Sequence, residues 1–286
     1  KDLEIMEKFR DSLDVDEKDK FKKEKEKVLI LKDNIEELEY TENVEVKEDY
    51  TVEIPASIKE NIVLMEHQKQ GLQKMQSLYK NSKVNGLLLC DDMGLGKTIQ
   101  ILSFFAWLKE NSNIKPSLVI APTSLITNWY NEDENEKKQG EIQKFFKKDT
   151  FRVKPILGQI SKSEVKELEN YDIVMTSYET LRINHKETGK IKWKVVVCDE
   201  AQKMKNPKTL LTTAIKTQNA EFKIACSATP IENNLVDLWC LTDFVKPGLL
   251  RSQKEFEKEY IKELKNIDKD DDEERQRIND KLKSKI

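Results

Sequence analysis

Asp91-Asp92-Met93-Gly94-Leu95-Gly96-Lys97-Thr98 follows the apolar run Gly86–Cys90 and leads into Ile99, Leu102, Phe105 and Ala106, which are spaced for an amphipathic helix. Strand, glycine turn and helix in that order make a phosphate-binding loop. Gly94 and Gly96 let the backbone turn tightly, so that successive amide N–H groups face phosphate oxygens where the helix begins. Lys97 is placed to neutralise β- and γ-phosphates, and the Thr98 hydroxyl to ligate Mg²⁺. The expected ligand is therefore ATP or a close relative as its magnesium complex, held by Asp92, Met93, Gly94, Leu95, Gly96, Lys97 and Thr98. One position departs from the usual pattern: Asp91 stands where a first glycine is expected.

Outward from this loop, four more short apolar runs follow: Leu118–Ala121, Asp172–Thr176, Lys194–Cys198 and Lys223–Ser227. Helical or loop-like segments separate them. Fully apolar strands alternating with helices indicate an α/β fold whose mostly parallel central sheet is covered on both faces. Each run ends in a polar or small-residue motif, and ligands of such sheets bind at the carboxyl ends of the strands. The motifs are therefore expected to meet in one cleft. Before the loop, Ile58, Ile62, Met65, Leu72, Met75 and Tyr79 fit one face of a helix, and Val44/Val46 and Tyr50/Val52/Ile54 alternate as short strands would.

The second motif is Lys194-Val195-Val196-Val197-Cys198-Asp199-Glu200-Ala201-Gln202. An apolar strand delivering two consecutive carboxylates is a Walker-B arrangement. Asp199 is expected to hold Mg²⁺ directly or through water, while Glu200 polarises the attacking water. Adjacent carboxylates repel, and a nearby cation relieves that cost. The candidate catalytic residues are thus Lys97, Asp199 and Glu200, and the candidate metal ligands Thr98 and Asp199. The third motif, Ala225-Cys226-Ser227-Ala228-Thr229-Pro230, could sense the γ-phosphate and bridge the two nucleotide motifs, or be a plain strand followed by a proline turn. Two further strand ends carry Ala121-Pro122-Thr123-Ser124 and Thr176-Ser177-Tyr178. Hydroxyls and free amides there suit nucleic-acid phosphates, a contact without sequence information. They also suit helix N-caps, Thr123/Ser124 before Leu125 in particular.

Composition bounds the rest. At 286 residues, with 37% hydrophobic and 36% charged residues, the chain can build one core but carries more charge than a compact domain needs. The excess lies in residues 1–48 and 251–286, which read as charged helical segments, with an acidic run Asp268–Glu274. The net charge of −3 argues neither for nor against nucleic acid. Cys90, Cys198, Cys226 and Cys240 sit in apolar runs without metal-ligand spacing. They read as reduced core residues of a cytoplasmic or nuclear protein. No apolar stretch approaches the roughly 20 residues that cross a bilayer, and no signal peptide is evident. The chain begins with Lys rather than Met, so a fragment of a longer protein is expected. Its expected divisions are a charged segment 1–54, an ATP-binding lobe 55–250 and a charged helical extension 251–286.

Read in order, these segments resemble the Swi/Snf family of ATP-dependent DNA translocases in helicase superfamily 2. They run Asp91-Asp92-Met93-Gly94-Leu95-Gly96-Lys97-Thr98-Ile99-Gln100, Ala121-Pro122-Thr123-Ser124-Leu125-Ile126-Thr127-Asn128-Trp129 and Ile173-Val174-Met175-Thr176-Ser177-Tyr178-Glu179. Asp199-Glu200-Ala201-Gln202-Lys203-Met204-Lys205-Asn206 and Thr229-Pro230-Ile231-Glu232-Asn233-Asn234-Leu235-Val236-Asp237-Leu238-Trp239 complete the series. The first matches the family hallmark in full, Asp91 included. The resemblance covers about Ile58 to Leu250 and implies the first of two RecA-like lobes, a three-layer sandwich. It implies that Gln68 contacts adenine and that Gln202, Ser227 and Thr229 couple hydrolysis to movement. It also implies that Thr123, Ser124, Thr176 and Ser177 touch one strand of double-stranded DNA, with Lys205 and Asn206 near the duplex. Departures are Glu66-His67 for Pro-Tyr before Gln68, Gln202 for His, and Ser227-Ala228-Thr229 for Thr-Gly-Thr.

The family's arginine fingers come from the second lobe, and such an arginine is worth about 10³–10⁵ in rate. The chain alone is accordingly expected to bind ATP weakly and hydrolyse almost none, while the intact protein, acting on some DNA-bound protein complex, is a DNA-stimulated ATPase. Two other readings are an RNA helicase lobe, which also uses Ser-Ala-Thr, and a non-enzymatic, nucleotide-dependent interaction module with binding ends. The Asn-Asn-Leu block after the third motif speaks against the RNA helicase.

Overall fold

The computed structural model describes residues 50–81, 84–131, 139–207, 209–229, 235–263, 277–278 and 281–282. The expected N-terminal helical segment, the Val44/Val46 strand, the acidic run and Pro230–Asn234 lie outside the described residues. Within them the chain runs α1 (Glu66–Lys80), β1 (Gly86–Leu89), α2 (Lys97–Asn111), β2 (Ser117–Ala121), α3 (Thr123–Trp129), α4 (Glu141–Phe145) and β3 (Val153–Ile156). It continues through α5 (Lys162–Leu168), β4 (Ile173–Ser177), α6 (Tyr178–Thr188), β5 (Lys192–Cys198), α7 (Leu210–Lys216), β6 (Asn219–Cys226), α8 (Leu235–Val245) and α9 (Gln253–Phe256). A π-helical turn, Glu257–Lys262, extends α9.

The strands form one six-stranded sheet in the order β1-β6-β5-β2-β4-β3. Every pair is parallel. Successive side chains of a strand point to opposite faces, and β5 shows both faces in use. Val195 and Val197 join a core with Leu72, Met75, Phe104 and Trp129 from α1, α2 and α3. Val196 and Cys198 join the other core, with Tyr178, Leu181, Ile215 and Phe244 from α6, α7 and α8. This is the expected three-layer sandwich. After residue 250, Phe256 and Tyr260 pack with Leu238, Trp239 and Cys240 in a third cluster.

Five strands match the apolar runs to within a few residues. The sixth, β3, was not anticipated, because Val153-Lys154-Pro155-Ile156 is neither continuously apolar nor alternating. It pairs only with β4, and an edge strand accommodates proline.

Three expectations need correction. The helix expected from Ile58 starts at Glu66, where the Gln68 side chain accepts the Met65 N–H at 3.0 Å. Ile58 lies instead in an isolated antiparallel bridge with Phe146, in the same core cluster, and beside it Lys59 N–H donates to the Phe145 carbonyl at 2.9 Å. Tyr50–Ile54 is not a strand. Both backbone groups of Glu53 are taken by one buried side chain, Gln76, with N–H to Oε1 at 3.1 Å and Nε2 to carbonyl at 2.7 Å. The helix after the phosphate-binding loop is not amphipathic: all residues from Ile99 to Leu108 are buried, wedged between α1, the sheet and α4. A further correction concerns the cysteines expected in the core: Cys198, Cys226 and Cys240 are buried, but Cys90, where β1 gives way to the loop, is exposed.

Candidate active site at the carboxyl edge of the sheet

Strand order turns five scattered motifs into one row. Along the carboxyl edge β1 ends in the phosphate-binding loop, β6 in Ser227, β5 in Asp199, β2 in Thr123 and β4 in Ser177. Adjacent strands lie about 4.8 Å apart, so the row from β1 to β4 is about 19 Å long.

The loop takes its shape from glycine backbone. Gly94 and Gly96 have φ of 86° and 79°, in the left-handed region that L side chains avoid. A Cβ on Gly96 would lie 2.5 Å from Gln68 Nε2 and push the end of that side chain away from the loop. The crest is open, with Met93 80% exposed. Lys97 Nζ donates to the Asp91 and Asp92 carbonyls at 2.7 and 3.1 Å, which holds its charge over the loop. From α1, His67 Nε2 and Gln68 Nε2 both donate to the Leu95 carbonyl, at 2.9 and 3.2 Å.

Asp91, the residue in place of the first glycine, has a structural partner. Its carboxylate accepts Gln100 Nε2 at 2.8 Å, which ties the start of the loop to the first turn of α2. Gln100 is fully buried and fits only because Gly71 faces it; a Cβ there would stand 1.9 Å from Gln100 Oε1.

Asp199 continues β5, with its N–H donating to the Ile120 carbonyl at 2.8 Å. Its Oδ1 accepts the Glu200 N–H at 3.1 Å, and its Oδ2 the indole N–H of Trp129 at 2.9 Å. Burial pushes the Asp199 carboxyl up; the Trp129 N–H opposes this, and the charge on Glu200 adds to it. Glu200 sits at φ 52°, a left-handed turn forced on a non-glycine residue. Its Oε2 accepts Gln202 Nε2 at 2.6 Å, and Gln202 Oε1 accepts the Ser227 hydroxyl at 2.9 Å. Ser227 Oγ in turn accepts the Thr229 N–H at 3.1 Å. The four residues thus form a continuous chain from the second motif to the third.

Two residues that sequence reasoning missed border this pair of carboxylates. Trp129 ends α3, and its only sequence signal was a tryptophan following a strand-end motif. Glu141 opens α4; burial raises its carboxyl, against the Lys144 charge and a hydrogen bond with Thr98, and Asp199 adds to the rise. Thr98 and Asp199 supply hard oxygen donors of the kind Mg²⁺ takes, and the desolvated Asp199 carboxylate gains from a cation. Among the described residues no three acidic, histidine or cysteine side chains gather as a metal cluster. Mg²⁺ ordinarily keeps waters and one or two protein oxygens beside the phosphates, so the donor set fits.

The other strand ends are less uniform. Thr123 and Ser124 are exposed at the start of α3, whose N-cap is Pro122, without a side-chain cap. The capping expected at both strand ends therefore fails for α3 and holds for α6, where Ser177 Oγ accepts the Thr180 N–H at 3.0 Å. Ser177 and Thr176 are buried. Lys205 and Asn206 follow a 3-10 turn, Ala201–Lys203, with Lys205 half-buried and Asn206 exposed.

Residues 67–286 match the SNF2-related domain. The chain belongs to that family. The domain is similar to the Zorya protein ZorD of Escherichia coli, with 41% identity over 84% of this chain and 24% of ZorD. It is also similar to the putative ATP-dependent helicase/translocase YwqA of Bacillus subtilis, with 35% identity over 74% of this chain and 22% of YwqA. Among solved structures, the Sulfolobus solfataricus SWI2/SNF2 ATPase core in complex with dsDNA superposes with a TM-score of 0.65 at 35% identity. That match covers 80% of this chain and 45% of the other, which bears out the RecA-like fold. The chain thus spans about a quarter of these curated relatives and under half of the solved core.

Proposed function

We propose that residues 55–250 are the first RecA-like lobe of an ATP-dependent double-stranded DNA translocase, between a charged segment 1–54 and an extension 251–286. The observation that carries this reading is the convergence at one sheet edge of the Lys97 loop, the Asp199/Glu200 pair and the Glu200–Gln202–Ser227–Thr229 chain. In this reading Asp92 to Thr98 cradle the phosphates of ATP and Gln68 meets the adenine. Thr98 and Asp199 hold Mg²⁺, which neutralises the phosphate oxygens when bound. Glu200 takes the proton of the attacking water, and Gln202, Ser227 and Thr229 sense its state. Thr123, Ser124, Thr176, Ser177, Lys205 and Asn206 make the side given to the DNA backbone; the exposed Thr123, Ser124 and Asn206 are the members disposed to touch it directly, and the buried Thr176 and Ser177 lie behind that surface. A relative whose name reads helicase/translocase and another solved with dsDNA support the assignment.

A second RecA-like lobe of the intact protein completes the site in this reading, and a DNA-bound protein complex is what movement acts on. The test is ATP turnover of the intact protein with duplex DNA, with RNA and with neither, beside turnover of the 286-residue chain. Stimulation by duplex alone, and almost no turnover by the shorter chain, are expected. Equal stimulation by RNA, or equal DNA-stimulated rates for the two proteins, would overturn the assignment.

A further inference from the structure

Asp199 is held from outside its own strand by two aromatic side chains. Trp129 Nε1 donates to Oδ2 of its carboxylate at 2.9 Å. Tyr178 Oη donates to its backbone carbonyl at 2.7 Å. Both aromatics are buried, Trp129 to 2% exposure and Tyr178 completely. A buried indole or phenol needs a partner for its polar atom, and many partners would serve. Here both select the same residue.

The two donors also share an origin. Trp129 is the last residue of α3, which begins at the exposed Thr123 and Ser124, and six residues of helix span about 9 Å. Tyr178 is the first residue of α6, directly after its N-cap Ser177. Each element that carries a candidate backbone-contacting hydroxyl therefore ends in, or starts with, a hydrogen bond to Asp199. Close-packed side chains move with the helices that carry them. A shift of α3 at its exposed start, or of the buried β4–α6 junction beside it, thus reaches the Asp199 carboxylate and its peptide carbonyl.

We infer that Trp129 and Tyr178 are positioning residues that relay contact with a nucleic-acid backbone to the metal-side carboxylate Asp199. This rests on the proposed DNA-translocase reading. In the relay α3 governs the direction of Oδ2, and α6 governs the Asp199–Glu200 turn, where Glu200 is kept left-handed. Two routes from two neighbouring strand ends act on one residue, so removing either weakens the linkage and removing both abolishes it.

Spatial intermediacy alone does not establish coupling, and a linkage measurement does. The affinity of the intact protein for a non-hydrolysable ATP analogue is measured with and without a mixed-sequence DNA duplex, in Mg²⁺ and again in EDTA. Wild-type protein is expected to bind the analogue more tightly with duplex in Mg²⁺, by about 5- to 150-fold. Trp129→Phe and Tyr178→Phe are each expected to keep duplex affinity and EDTA analogue affinity while cutting that factor roughly fivefold, the size of one hydrogen bond. Trp193→Phe is the control. Its indole N–H is equally buried but donates to the Thr188 carbonyl and Gln218 Oε1, at 3.1 and 3.2 Å, so its linkage factor is expected to stay at the wild-type value. Should Trp129→Phe lose analogue affinity in EDTA through misfolding, Tyr178→Phe, which removes a single oxygen, decides. A linkage factor unchanged in both variants, or lost equally in Trp193→Phe, overturns the relay alone. A wild-type protein that binds no duplex overturns the DNA reading, and the relay with it.

Discussion

Along β1, β6 and β5 the polar side chains at the strand ends are tied to partners from other elements, whereas the hydroxyls that follow β2 and β4 cap a helix or stand exposed. Gln100 reaches Asp91, Gln68 reaches the Leu95 carbonyl, and Gln202 joins Glu200 to Ser227. On the other side Ser177 caps its own helix, and Thr123 and Ser124 stand exposed. The contrast follows from the ligands proposed for each. A triphosphate with its cation concentrates charge at one point, so donors from several strands must be fixed relative to one another. A nucleic-acid backbone presents repeated phosphates along a line, and scattered hydroxyls and amides on the surface suffice to follow it.

If the halves differ in this way, substitutions separate them. Glu200→Gln is expected to lower turnover by about 10²–10⁴-fold while analogue binding and duplex binding persist, as measured by single-turnover kinetics and equilibrium titration. A proportional loss of analogue affinity would assign Glu200 to binding instead. Gly71→Ala pushes a methyl group against Gln100 and is expected to cost about 1–3 kcal/mol by overpacking, read in denaturant melts. Nucleotide affinity should fall with it, because Gln100 is displaced from Asp91, while duplex affinity should not change.

On the hydroxyl side, Thr123→Ala with Ser124→Ala is expected to weaken duplex binding by roughly fivefold at every salt concentration, the scale of a lost hydrogen bond. Lys205→Ala is expected to lower the slope of log affinity against log salt by about one, since only a cation displaces counterions. Identical salt behaviour for the two would erase the distinction. The smallest effect concerns Asp199. Burial raises its carboxyl in the metal-free fold above the unfolded value, so the folded state binds the extra proton. The metal-free fold therefore loses stability as pH rises from the unfolded carboxyl value, near 4, through the raised one. Asp199→Asn removes that loss. Without Mg²⁺ its Tm relative to wild type should climb between pH 4 and pH 8, and a flat difference would show that the carboxylate is already compensated.

How much of this was legible depended on sequence distance. Strands with both faces covered are continuously apolar, and so β1, β2, β4, β5 and β6 stood out, whereas β3, with Lys154 and Pro155 at the sheet edge, did not. The phosphate-binding loop and the Asp199/Glu200 pair were readable because strand, turn and functional residue are contiguous. Their neighbours were not. Trp129 and Asp199 are 70 positions apart, and Gln76 meets Glu53 across 23. Only the topology that sets first strand beside last brings Ser227 next to the loop. The alternation at Tyr50–Ile54 misled because one buried glutamine can take the backbone hydrogen bonds that a neighbouring strand would otherwise take.

The helix α2 behind the phosphate-binding loop has no solvent-facing side over the stretch Ile99–Leu108. Local opening draws on segments with few buried contacts, and this segment has many. Its amides should therefore exchange with deuterium only when the whole lobe unfolds, among the slowest in the protein. In the proposed reading a triphosphate meets, behind the exposed loop crest, a helix already set before it arrives, so that part needs little ordering on binding. If the proposed ATP cycle does mechanical work, the exposed loop at residues 92–95 and hinges outside α2 have to take it up, because the helix behind the phosphates has no room to bend.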